Sequence, residues 1–172
     1  PTGNFGDILA GYLAKEMGLP VGKLICASNE NNVLTDFLTT GTYDRRRPLH
    51  KTISPSMDIL ISSNLERLLY FVSRDTSLVK DLMEKLNREG HYTLPESLLA
   101  KIQAQFFGGW CSDEKGKQTI SRVYGDFGYL CDPHTAAGWA VAEGCREATG
   151  DNTPMVVLST ASPYKFPEAV LS

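Results

Sequence analysis

Three groups of residues in this sequence have types and spacing that could do chemistry. The first is Pro1-Thr2-Gly3-Asn4-Phe5-Gly6-Asp7, in which two glycines three positions apart lead into a helical pattern starting at Ile8. Glycine lets backbone N–H groups face a ligand with no Cβ in the way. A helix N-terminus adds unpaired donors and the positive end of a dipole. The stretch therefore suits a small phosphate group held by backbone, with a tight, ligand-free helix entry as the alternative. It has neither the Lys-Ser/Thr ending of a P-loop nor G-x-G-x-x-G, which disfavours a nucleoside triphosphate or a dinucleotide. The second group is Asp132-Pro133-His134-Thr135. His134 backed by Asp132 could be a general base, or a histidine that orders a turn by bonding to backbone. The third is Cys26, Cys111, Cys131 and Cys145, widely spaced and without C-x-x-C. That pattern disfavours a metal site and a disulfide framework and fits free thiols in a reducing cytosol. Nothing in the sequence brings Cys111 or Cys131 to His134 as a nucleophile pair. Asp58 and Glu66 are single carboxylates with no visible partner.

Composition bounds what surrounds these groups. With 172 residues, 42% hydrophobic and 22% charged, the chain can bury one core of ordinary size as a soluble globular protein. A net charge of -3 argues against a nucleic-acid partner. Arg45-Arg46-Arg47 is its one dense basic run and reads as a solvated loop face. No apolar run approaches the ~20 residues of a membrane span. The glycine loop has no strand before it, although such loops usually hang between a strand and a helix. The chain is therefore expected to be a piece of a longer protein.

The elements that must position these residues follow from periodicity. Ile8, Leu9, Tyr12, Leu13 and Met17 predict a helix from Ile8 to Gly18. Val21–Ala27 predicts a short buried strand, and Asn32 is placed to cap a helix over Val33–Leu38. Gly41–Ser56 reads as a polar loop that could cover a site. Asn64 is placed to cap a helix over Leu65–Ser73. Asp75–Phe107 reads as helical throughout, broken at Gly90, followed by a turn over Gly108–Ser112 and a helix over Asp113–Gly125. Phe127–Cys131 is a short strand or a link, and Ala136–Ala148 a helix. Met155–Ser159 predicts a parallel-sheet strand whose carboxyl end presents Thr160, where open α/β sheets bind ligands.

These stretches together resemble threonine synthase. The matching blocks are Pro1–Asp7, Ala27-Ser28-Asn29 with Asn32-Val33-Leu34, Thr40–Tyr43, Ser54–Ile59 with Ser62–Arg67, Asp132–Thr135 and Thr160–Phe166, spread over nearly the whole chain and in the family's order. The resemblance implies an α/β fold: a helix-rich, partial open parallel sheet within the larger domain of a tryptophan-synthase-β-like enzyme. Residues 1–172 would be the C-terminal portion of its cofactor-binding region, with a helical insertion over roughly 75–125. It implies pyridoxal 5'-phosphate (PLP) as cofactor and conversion of O-phospho-L-homoserine and water to L-threonine and phosphate. By resemblance Gly3, Asn4, Phe5 and Gly6 cradle the cofactor phosphate, and Thr160 faces the pyridine nitrogen. Ser56 and Asn64 are candidates for substrate contact. The family's Schiff-base lysine lies upstream of the glycine loop and matches no residue here, so no catalytic lysine is assigned and the chain is expected to be inactive alone. A non-catalytic phosphate-binding module, or a related PLP lyase for another phosphorylated amino acid, are the competing readings. The expected setting is cytoplasmic, without membrane, nucleic acid or metal, and the expected partner is the upstream part of the same protein.

Overall fold

The computed structural model describes residues 1–171. Its centre is a two-stranded parallel sheet of β1 (Leu24–Ser28) and β4 (Phe106–Trp110), in register from Leu24 opposite Phe106 to Ser28 opposite Trp110. Helix α1 (Gly6–Glu16) starts near the carboxyl end of β1 and runs back along it, where Phe5 and Tyr12 meet the ring of Phe106 at 5.7 and 5.8 Å. Its apolar stripe is shorter than expected, because Met17 is 88% exposed.

Helices α2 (Val33–Thr40) and α7 (Pro133–Thr149) press on β4 at its two glycines. A Cβ on Gly108 would sit 3.1 Å from Leu38 Cβ and 3.3 Å from Thr35 Cα, and one on Gly109 would sit 2.6 Å from Val141 Cγ1. These glycines therefore do not make the turn expected from sequence. They are strand residues that admit two helices at close range. The break expected at Gly90 is present, but the helical reading to Phe107 is corrected at His91–Thr93 and from Phe106 on, which are strands. Helix α4 (Thr76–Glu89) ends at Gly90, and α5 (Glu96–Gln105) stops where Phe106 enters the sheet.

A second, antiparallel ladder joins β2 (Thr42–Asp44) and β3 (His91–Thr93). Tyr43 and Tyr92 stack across it with centroids 5.5 Å apart, and Phe37 of α2 meets both rings edge-on. The loop expected over Gly41–Ser56 is thus strand at its start. Its arginines are engaged: Arg45 bonds the Asn87 carbonyl, Arg46 pairs with Asp44, and Arg47 pairs with Asp36. Helix α3 (Leu65–Ser73) packs Leu65, Leu68 and Leu69 into the same core. Helix α6 (Asp113–Phe127) is capped by Ser112 and closed by left-handed Gly128, so the residues that follow are a link and not a strand.

Met155–Ser159 is the clearest departure. The segment has no regular secondary structure and pairs with no strand among the described residues. Val157 lies 3.3 Å from the Cβ position of Gly138 on α7, while Val156 is 86% and Leu158 47% exposed. An apolar run favours extended backbone, but a strand needs a neighbour to hydrogen-bond. Short helix α8 (Pro167–Val170) closes the described chain. No helix among the described residues is long and apolar enough to cross a membrane.

Candidate functional site

The glycine loop is held by its carbonyl groups. Ser62 Oγ donates to the Gly3 carbonyl at 2.9 Å, and Asn64 donates to the Asn4 carbonyl from its backbone N–H (3.3 Å) and from Nδ2 (2.9 Å). The Phe5 carbonyl accepts the Leu9 N–H, the first bond of α1. In a trans peptide the N–H points opposite to the C=O of the same unit. Tying back the carbonyls of residues 3, 4 and 5 therefore turns the N–H groups of Asn4, Phe5 and Gly6 the other way. No N–H from Gly3 to Ile8 has a protein acceptor among the described residues, and no side chain caps α1. Phe5 is left-handed, with φ 60°, directly before the helix. A left-handed residue beside helical ones gathers successive N–H groups into an anion nest. That conformation costs a non-glycine residue ~1–2 kcal/mol. The fully buried Phe5 ring offsets the cost, since burying such a side chain contributes ~1.5–3 kcal/mol.

The two glycines of the loop have different jobs. A Cβ on Gly3 would lie 2.9 Å from the Ser56 carbonyl oxygen and 3.0 Å from Met57 Cα, so Gly3 is required by its neighbour segment. A Cβ on Gly6 would meet only the Asn64 side chain, at 3.3 Å. Among the described residues two buried hydroxyls have no partner, Thr2 in the loop itself and Ser28 at the last position of β1. The Thr2 N–H bonds the Ala27 carbonyl at 2.8 Å, which fixes the loop at the carboxyl end of that strand.

Asp132 and His134 open α7 beside the loop. Asp132 is the N-cap and accepts the backbone N–H groups of His134 and Thr135, His134 Nδ1 at 2.8 Å and the Thr135 hydroxyl. Burial pushes its carboxyl pKa up, but these hydrogen bonds outweigh it and hold the carboxyl below its usual range. His134 is 2% exposed, and its Nε2 accepts the Ser56 N–H at 3.2 Å. Of the two sequence readings, the histidine that bonds to backbone is the one observed. Ser159 Oγ lies 3.5 Å from Thr135 Oγ1, which brings the exposed Thr160 to the first turn of α7. Pro1 packs against Gly138 one turn further on.

Ser56 is exposed and sits between His134 and Gly3, and Asn64 is half buried with its amide nitrogen committed to the loop. Asn64 and Asn32 occupy N-cap positions, but neither side chain caps its helix. Asp58 is not the unpartnered carboxylate it resembled in sequence. Its Oδ1 accepts Asn29 Nδ2 (2.8 Å), Asn31 Nδ2 (3.0 Å) and Thr52 Oγ1 (2.7 Å), and its Oδ2 accepts the Thr52 N–H (3.0 Å). This network ties the segment after β1 to the segment that backs Gly3. The polar cluster Ser28–Asn32 was its only sequence signal.

Unpaired N–H groups opening a helix at the carboxyl end of a parallel strand are the arrangement at which α/β proteins commonly accept an anion. Comparison with known proteins is consistent with that geometry. A family model described as threonine synthase, C-terminal, matches residues 135–172. Over 99% of its length the chain is 46% identical to a threonine synthase of Pseudomonas aeruginosa, of which it spans 36%. It is 45% identical to threonine synthase-like 1 of Homo sapiens, of which it spans 23%. The crystal structure of a PLP-bound threonine synthase from Brucella melitensis superposes with a TM-score of 0.93 at 48% identity, covering 99% of this chain and 36% of that one. The chain is thus similar over nearly its whole length to part of these threonine synthases, and it spans from about a quarter to just over a third of the length of these relatives.

Proposed function

We propose that this chain supplies the phosphate-binding half of a PLP site, and that within a longer protein it serves the conversion of O-phospho-L-homoserine and water to L-threonine and phosphate. The observation that carries the reading is the row of N–H groups from Gly3 to Ile8 without protein acceptors, at the start of an 11-residue helix. A phosphate dianion satisfies several such donors at once, and charge-assisted bonds are the stronger kind. In this reading Gly3, Asn4, Phe5 and Gly6 hold the phosphate, and the buried Thr2 hydroxyl, which lacks a partner, is an additional donor. Thr160 faces the pyridine nitrogen. Its hydroxyl is a neutral partner, so it orients the ring without forcing a full positive charge onto it. When bound, PLP supplies the electron sink for proton removal beside the substrate's amino group.

The other side chains act on position. Ser62 and Asn64 keep the loop carbonyls turned away from the anion, so no lone pair opposes the phosphate charge. Ser56 and the free carbonyl face of Asn64 are proposed to contact the substrate. The lysine that joins the cofactor covalently is assigned to the upstream part of the longer protein. This chain alone is accordingly expected to release no phosphate from phosphohomoserine, and turnover by it would contradict the reading. The reading is tested in the longer protein by Gly6→Val. The branched side chain crowds the Asn64 amide that holds the Asn4 carbonyl, which displaces the loop, so PLP affinity should fall; unchanged affinity would remove the cradle.

A further inference from the structure

We propose that His134 is a positioning residue for the phosphate loop: as a neutral imidazole it accepts the Ser56 N–H through Nε2 and holds Ser56 against Gly3. The inference rests on the reading of that loop as an anion cradle. The Ser56 N–H can only donate, so Nε2 must present its lone pair, and the ring proton is assigned to Nδ1, 2.8 Å from Asp132 Oδ1. Asp132 is itself fixed by the N–H groups of His134 and Thr135 and by the Thr135 hydroxyl. The ring of Phe166, 4.9 Å away by centroid, packs against the imidazole. The one basic lone pair of His134 is thus used inside the protein, and it is not free to take a proton from a substrate.

The contact reaches the loop in two steps. Ser56 lies in a single 3-10 turn, Pro55–Met57, closed by the Met57 N–H to the Ser54 carbonyl. The Ser56 carbonyl is the atom that leaves no room for a Cβ on Gly3. Its N–H, anchored by His134, therefore sets where the Gly3 backbone rests, and Gly3 begins the row of free N–H groups. The adjoining Asn29–Thr52–Asp58 network holds the same segment from the other side.

Two substitutions separate this role from that of a generic buried histidine. In His134→Gln the side-chain carbonyl reaches the place of Nε2 and can accept the Ser56 N–H. In His134→Asn the amide matches the place of Nδ1, keeps a donor for Asp132 and falls short of Ser56. Nitrogen NMR of the unliganded chain should show His134 with Nδ1 protonated and Nε2 bare. Hydrogen exchange at Ser56, and at the loop's bonded Thr2 and Leu9 amides, should quicken by about two- to tenfold in His134→Asn, the worth of one hydrogen bond, and return to near wild type in His134→Gln. PLP affinity, read by titration with inorganic phosphate as competitor, should follow the same order. An Nε2–H tautomer, or equal exchange in the Asn and Gln variants, would overturn the proposal. If the wild-type chain binds no PLP while the tautomer and exchange pattern hold, the cradle reading fails and the positioning contact stands.

Discussion

Gly3→Ala isolates the closest backbone approach in the site. The added Cβ would meet the Ser56 carbonyl oxygen at 2.9 Å and Met57 Cα at 3.0 Å. Both are main-chain atoms, held by His134 and by the Asp58 network, so neither yields as a flexible side chain would. Overpacking of this kind costs ~1–3 kcal/mol. Gly3 is not among the glycines with positive φ, so alanine adds no backbone strain and regains ~0.4–1 kcal/mol through a stiffer unfolded chain. The net loss is ~1–2 kcal/mol, which for a chain of this size lowers Tm by roughly 2–8 °C. Thermal unfolding followed by circular dichroism reads it directly. Gly125→Ala is the internal reference: Gly125 lies inside α6 with nothing within 4 Å of its Cβ position, so the change should stabilise by ~0.5–1 kcal/mol. A Gly3→Ala protein melting within about 1 °C of wild type, beside a Gly125→Ala protein that gains as expected, would refute the claim that Ser56 and Gly3 are locked together.

Three further predictions follow from the buried polar groups. Asp58→Asn turns an amide NH2 toward donors that the carboxylate now accepts, and urea unfolding should show a loss of ~1–3 kcal/mol. The Asp132 carboxyl is held below its usual range. Its contribution should therefore be fully present above the unfolded value of about 4, and vanish as pH falls through the lower folded value. The Tm gap between wild type and Asp132→Asn should close over that acidic range; a gap that is constant with pH would contradict the assignment. Burial raises the thiol of Cys26 to about 12 and those of Cys111 and Cys131 to about 11, and Cys145 is buried too. A thiol reagent at pH 8 should leave all four slow in the folded chain and titrate all four once urea is added.

Local patterns were legible where they were self-contained. The stripe from Leu65 to Leu69, the Asp132 start of α7 and the β1 strand each depend on residues close in sequence. The glycine loop was legible as a helix entry, but its direction was not. The orientation of its N–H groups is set by Ser62 and Asn64, about sixty positions away. Gly108 and Gly109 misled for a physical reason: the same lack of a Cβ that suits a turn also lets α2 and α7 close on a strand. Met155–Ser159 misled in the opposite sense, since its apolar run favours a strand but cannot supply a pairing partner. His134 was ambiguous between base and brace until Ser56, distant in sequence, was seen at its Nε2.

The central claim, that the loop from Gly3 to Ile8 receives the phosphate of PLP, is tested most directly by amide NMR of this chain during titration with PLP and, separately, with inorganic phosphate. Both ligands should shift the Gly3–Ile8 amides, and PLP alone should add a shift at Thr160. Saturation by either ligand with those amides unmoved, or with the shifts confined to residues outside the loop, would contradict it.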